Sequence, residues 1–180
     1  TLRACIVGCL LVSFLGAPVT AAEQQFSREQ LDQLTAQVAL YPDALLSQVL
    51  MASTYPSDVA AAAQWARAHP DAKGDEAVKQ VEDRGWDPSV ASLVAFPQVI
   101  VTMGEKPDWV RDLGDAFLAQ PEDVMGSVQR LRTQAQKAGN LKSNEQTVVR
   151  VENAPPDEAV TQVVERQVIY IEPAQPQVVY

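Results

Sequence analysis

Val38-Ala39-Leu40-Tyr41-Pro42-Asp43-Ala44-Leu45-Leu46-Ser47-Gln48-Val49-Leu50-Met51 is the stretch whose reading decides the fold. Leu45, Leu46, Val49 and Leu50 recur at i, i+1, i+4 and i+5, one broad stripe of a helix and not the alternation of a strand. Tyr41-Pro42-Asp43 in front of them reads as a helix entry. Proline is tolerated in a first turn, and an acid there suits the positive end of the helix dipole. The same punctuation returns at Tyr55-Pro56, Trp86-Asp87-Pro88 and Phe96-Pro97.

Working outward, Ser27-Arg28-Glu29-Gln30 is a capping box, with Phe26 placed as a hydrophobic staple and Leu31, Leu34 and Val38 as the apolar face. Val59, Ala62, Ala63 and Ala66 make the stripe of a third helix with Trp65 on its flank, and His69-Pro70 ends it. Ala77, Val78 and Val81 belong to a short helix stopped at Gly85. Asp87-Pro88 starts another, with Val90, Leu93 and Val94 inward. The run Val99 to Met103 follows Phe96-Pro97, and Trp109, Leu113 and Phe117 stack on the helix opened by Lys106-Pro107. Gln120-Pro121 begins the longest helix, whose expected stripe is Val124, Val128, Leu131, Ala135 and Ala138 and whose stop is Gly139-Asn140.

The expected architecture is mainly α: an irregular bundle of seven to eight short helices, then a short β-prone, Pro-containing C-terminal segment. Thr147–Glu152, Gln167–Ile171 and Gln177–Tyr180 are the expected strand runs, with Asn153-Ala154-Pro155-Pro156-Asp157 separating the first two. The domain reading is a secretory signal segment over 1–22, a helical domain over 23–144, and a β-prone tail over 145–180 that stops within its third run, as a fragment would.

Residues 1–22 carry one charge, Arg3, then an apolar run from Ala4 to Leu15, then small residues around Ala21 and Ala22, either of which suits signal cleavage. The apolar run is shorter than the ~20 residues of a spanning helix. The chain opens on Thr, so part of a basic leader is expected upstream. Cys5 and Cys9 both lie here, and Ile6-Val7-Gly8-Cys9 loosely matches a lipidation box at Cys9, although the apolar run continues past it. Ordinary cleavage leaves no cysteine, which excludes a thiol catalyst. It also leaves 13 Lys and Arg against 23 Asp and Glu, a net charge of about −10. So acidic a chain repels phosphate backbones, and no nucleic-acid partner is expected.

No catalytic constellation is legible. His69 stands alone, short of a triad or a zinc site. Asp108, Asp112 and Asp115 share a helix face on which, with Glu105 nearby, a hard cation can sit, but a solvated face with Arg111 paired to Asp115 is the plainer reading. Neither a metal nor a cofactor is expected. The candidate binding residues are Tyr41, Asp43, Tyr55 and Trp86. The two tyrosines flank the central helix and either present hydroxyls or pin the turns. Trp65, Trp86 and Trp109 either line a carbohydrate or peptide groove or pack in the core.

The run Val38–Pro56 resembles a known family, as do Trp86-Asp87-Pro88-Ser89-Val90, Leu93-Val94-Ala95-Phe96-Pro97, Asp108-Trp109, Leu113–Gln120 and Gln134–Ser143, in that order. It is similar to the exported Gram-negative proteins grouped as domain of unknown function number 3300, over roughly residues 30–180. The resemblance implies an envelope location, sometimes by lipid anchor, and no established activity or catalytic residue. Two functions are therefore carried forward. One is a non-enzymatic cell-envelope protein, periplasmic or outer-membrane-associated, with a protein-interaction or scaffolding role. The other is a cell-wall glycan or peptide binder or hydrolase using the aromatics and an acid pair such as Asp112 and Asp115. One-turn neighbours point the same way, whereas glycoside chemistry needs carboxylates facing across a substrate.

Overall fold

A computed structural model describes residues 26–143, 147–152 and 160–165. Ala21, Ala22, Cys9 and the expected strand runs Gln167–Ile171 and Gln177–Tyr180 lie outside the described residues. Eight α-helices occur among the described residues: α1 (Arg28–Thr35), α2 (Asp43–Ser53), α3 (Pro56–Ala68), α4 (Gly74–Val81), α5 (Pro88–Leu93), α6 (Pro97–Gly104), α7 (Pro107–Ala119) and α8 (Pro121–Lys137). A hairpin follows, β1 (Thr147–Glu152) and β2 (Val160–Glu165). The protein is thus mainly helical, as its periodicities predict.

Proline sets the corners. Five helices carry it at the first turn, where its missing N–H is no loss. A proline also bars the preceding residue from helical geometry. Tyr55, Phe96, Lys106 and Gln120 accordingly sit at φ between −118° and −139° and ψ between 56° and 73°. Gln120 alone separates α7 from α8, so the chain turns there within one residue. The same side chain clamps the start of the fold: its Oε1 accepts from Phe26 N at 2.7 Å. The Ser27 capping box forms as expected, with Ser27 and Gln30 exchanging bonds at 3.3 and 2.8 Å.

Helix α2 is central, contacting α3, α5, α7 and β2, while α3 lies against α6 and α1 against α8. Its Leu46, Val49, Leu50 and Ala52 are buried with Val90, Leu93 and Val94 of α5 and Val110, Leu113 and Ala116 of α7. The alanine face of α3 admits α6 so closely that Ala63 Cβ occupies the space of a Cβ on Gly104. Gly85 ends the α4 segment at φ +70°, a conformation open to glycine at little cost.

The structure departs from the sequence reading at four points. The second strand lies at Val160–Glu165, between the β-prone runs expected around it, and pairs antiparallel with β1 from Thr147↔Glu165 to Glu152↔Val160. Arg111 bonds Asp108 at 2.9 Å and not Asp115; an arginine reaches either neighbour, and the i−3 carboxylate is the one used. The buried face of α8 is Val124, Ser127, Val128 and Arg132, with Leu131 and Ala135 partly covered and Ala138 exposed. Trp65, expected on a flank, is only 5% exposed.

Candidate functional site

Arg132 is the largest side chain buried to within 1% of full cover. It extends the i, i+4 series of Val124 and Val128, so helix geometry carries it inward. Carbonyls meet it there. Its Nε donates to Ala39 O at 2.7 Å and one terminal nitrogen to Tyr41 O at 2.9 Å. The other donates to Asp43 Oδ1 at 2.6 Å and Thr161 O at 2.8 Å. One guanidinium thereby ties the turn before α2, the first residue of α2 and the strand β2 to α8. Its neighbour Gln129 holds the same strand residue from the other side, accepting from Thr161 N at 2.7 Å. A buried charge is tolerable because these partners replace its water.

Beside this node α2, α7, α8 and β2 enclose a cleft of about 420 Å3, in the range of small-ligand pockets. Leu46, Leu50 and Phe117 line it, with Met51 and Met125, which are 47% and 40% exposed. Its polar lining is Asp43, Ser47, Gln129, Gln162 and the already engaged Arg132. Such a surface takes apolar groups.

The second cluster lies at the other end of α2, roughly 16 Å away by helix rise. Asp58 Oδ2 accepts from Asp87 N at 3.0 Å, and Asp87 caps α5 through Ser89 N at 2.9 Å and Ser89 Oγ at 2.5 Å. Those bonds from Ser89 hold the Asp87 carboxyl below its ordinary range, against a smaller opposing effect of burial. The Asp87 charge in turn raises the Tyr55 phenol, with a lesser contribution from Asp58. The folded-state pKa of Asp87 is lowered, so its stabilisation is complete above the ordinary value of 3.8 and is lost as pH falls through the lower folded value. Asp87→Ala should cost about 1 kcal/mol near neutral pH. In acid-unfolding curves that gap from the wild type should close below pH 4.

Next to Asp87, Trp86, Trp65, Arg84, His69 and Gln64 line an open groove of about 460 Å3. The Arg84 guanidinium lies 5.3 Å from the Trp86 ring centroid and 5.9 Å from that of Trp65. His69 stacks on Trp65 at 4.5 Å and 18°, with its Nδ1 2.8 Å from Trp65 O.

The four residues singled out from sequence therefore fall into two groups. Tyr41 and Asp43 meet at Arg132, Tyr41 through its carbonyl and not its hydroxyl. Tyr55 and Trp86 flank Asp87. Arg132, Gln129, Met125 and Arg84 were not singled out. For Arg132 a signal exists, a charged residue in the third place of an apolar i, i+4, i+8 series. For Arg84 the signal is weaker, a cation two residues before a tryptophan. Asp108, Asp112 and Asp115 are exposed along α7. Among the described residues no three His, Cys, Asp or Glu come together as a metal site, and no helix is long and apolar enough to cross a membrane.

Residues 27–180 match a family described as "Protein of unknown function (DUF3300)". The chain is 53% identical over 184 residues to "Uncharacterized protein YacH" of Escherichia coli (strain K12), covering 91% of this chain and 30% of that protein. It thus spans less than a third of the length of this curated relative. No solved structure matches.

Proposed function

This chain belongs to the DUF3300 family of proteins of unknown function, and we propose that it is a non-enzymatic protein of the Gram-negative cell envelope that binds a protein partner. The observation that carries the reading is the apolar cleft between α2, α7, α8 and β2. Its occupant is an apolar side chain, or a pair of them, on a partner segment. Met51 and Met125 at its edge are unbranched and polarizable, side chains that repack around whatever they meet. An acidic chain, net −9, is repelled by anionic lipid headgroups, which favours protein over membrane as the source.

The export-type layout of residues 1–22 supports the envelope location. Asp87 and Asp32 are held ionised, Asp87 by its bonds from Ser89 and Asp32, where burial opposes ionisation, by bonds from Arg130 and Ser127 that outweigh it. This suits a helix cap and an inter-helix tie and not a general acid at neutral pH.

The test is a pair of substitutions in the full-length protein, Met51→Glu and Met125→Glu. A partner co-isolated from the envelope with the wild type should be lost from both variants and kept by Lys79→Glu, an exposed change on α4. All three should keep the wild-type melting temperature within a few degrees. Retention of the partner by both cleft variants would overturn the reading.

A further inference from the structure

The groove at Trp86 is a second site, independent of the apolar cleft, and we propose that it binds a carboxylate-bearing saccharide. Arg84 supplies the anion contact and Trp86 the apolar surface for a sugar ring. The chain has 23 acidic residues against 14 basic ones, yet among the described residues no carboxylate forms an ion pair with Arg84. It is held instead over two indoles, at 5.3 and 5.9 Å. Cation–π contact fixes the guanidinium plane while leaving its N–H groups unspent, the arrangement that accepts a carboxylate in bidentate fashion.

The other lining groups fit the remainder of a sugar. Trp65, 5% exposed and stacked by His69, is scaffold; Trp86, partly exposed, is the available indole. A carbonyl can only accept, so His69 Nδ1 carries the proton it donates to Trp65 O at 2.8 Å. In the neutral ring Nε2 is then an acceptor suited to a sugar hydroxyl, and the Gln64 amide adds donor and acceptor capacity. An open groove of mixed polarity, about 460 Å3, suits a saccharide with both C–H faces and hydroxyls. The cleft between α2, α7, α8 and β2 presents a far more apolar surface.

The test is an NMR titration of the ¹⁵N-labelled full chain with D-glucuronate, with D-glucose and with N-acetyl-alanine as a carboxylate without a sugar. Glucuronate should shift the Trp86 indole N–H and the Arg84 signals saturably, and glucose and N-acetyl-alanine should each bind at least tenfold more weakly. Arg84→Gln should weaken glucuronate by tenfold or more at unchanged melting temperature, with Arg84→Lys intermediate. Glucuronate binding no tighter than glucose, or undiminished in Arg84→Gln, would overturn the anion assignment. N-acetyl-alanine binding as tightly as glucuronate would overturn the saccharide assignment. No saturable shift with glucuronate would overturn both.

Discussion

Arg132→Met lowers the unfolding free energy by about 3–5 kcal/mol, the range for breaking a buried charged network by removing one partner. The methionine fills much of the volume but donates nothing. Ala39 O, Tyr41 O and Thr161 O lose a partner together, and each carbonyl left dry costs about 1–3 kcal/mol before relaxation. Domains of this kind have about 5–15 kcal/mol in total, so the loss is a large fraction of the whole. The contrast is Asp43→Asn. The Asp43 side chain is 43% exposed and its amide oxygen can still accept, so that change should cost under about 1 kcal/mol. Denaturant unfolding measures both. Amide exchange adds a local reading: β2 should lose protection in Arg132→Met beyond what the global change accounts for, because Thr161 is held by α8 side chains through both N–H and C=O. An Arg132→Met protein within about 1 kcal/mol of wild type would mean that water replaces the guanidinium.

Gly114→Ala, ordinarily a gain of about 1 kcal/mol inside a helix, should here be a net loss of about 1–3 kcal/mol. An added Cβ would stand 2.7 Å from the Ser53 carbonyl carbon and 3.1 Å from Thr54 N, backbone atoms at the end of α2. Backbone cannot swing aside as a side chain does, so α7 must back away from the central helix. Gly126→Ala on α8 is the internal control. Its Cβ meets only Arg130 at 3.5 Å, an ordinary contact with a flexible tip, and the substitution should stabilise by about 0.5–1 kcal/mol. Opposite signs from one chemical change would show that the α2–α7 approach, and not helix propensity, decides the outcome. Thermal melts of the two variants measure it.

What could be read before folding was whatever is settled locally. Pro56, Pro88, Pro97, Pro107 and Pro121 each constrain two residues of backbone, and each marks a helix start in the structure. Ser27 and Asp87 cap as their spacing predicts. What could not be read depends on partners far along the chain. The burial of Arg132 is permissible only because carbonyls from residues 39, 41 and 161 arrive around it. The bounds of β2 follow from its register against β1, while composition there is β-prone on both sides. Arg111 had two acids within reach and local spacing alone does not choose between them. Trp65 and Trp86 come together over Arg84 because α3 and the segment after α4 meet in space, a contact that neither periodicity announces.

The most direct test of the interaction role is site-specific photocrosslinking in the native envelope. A benzophenone amino acid at position 51 or 125 of the full-length protein reads what occupies the cleft, and the same probe at Lys79 reads the background. One recurrent protein crosslinked from both cleft positions and not from position 79, and lost in the Arg132→Met background, is the result the account predicts. Crosslinks to lipid alone, or the same products from all three positions, would contradict it.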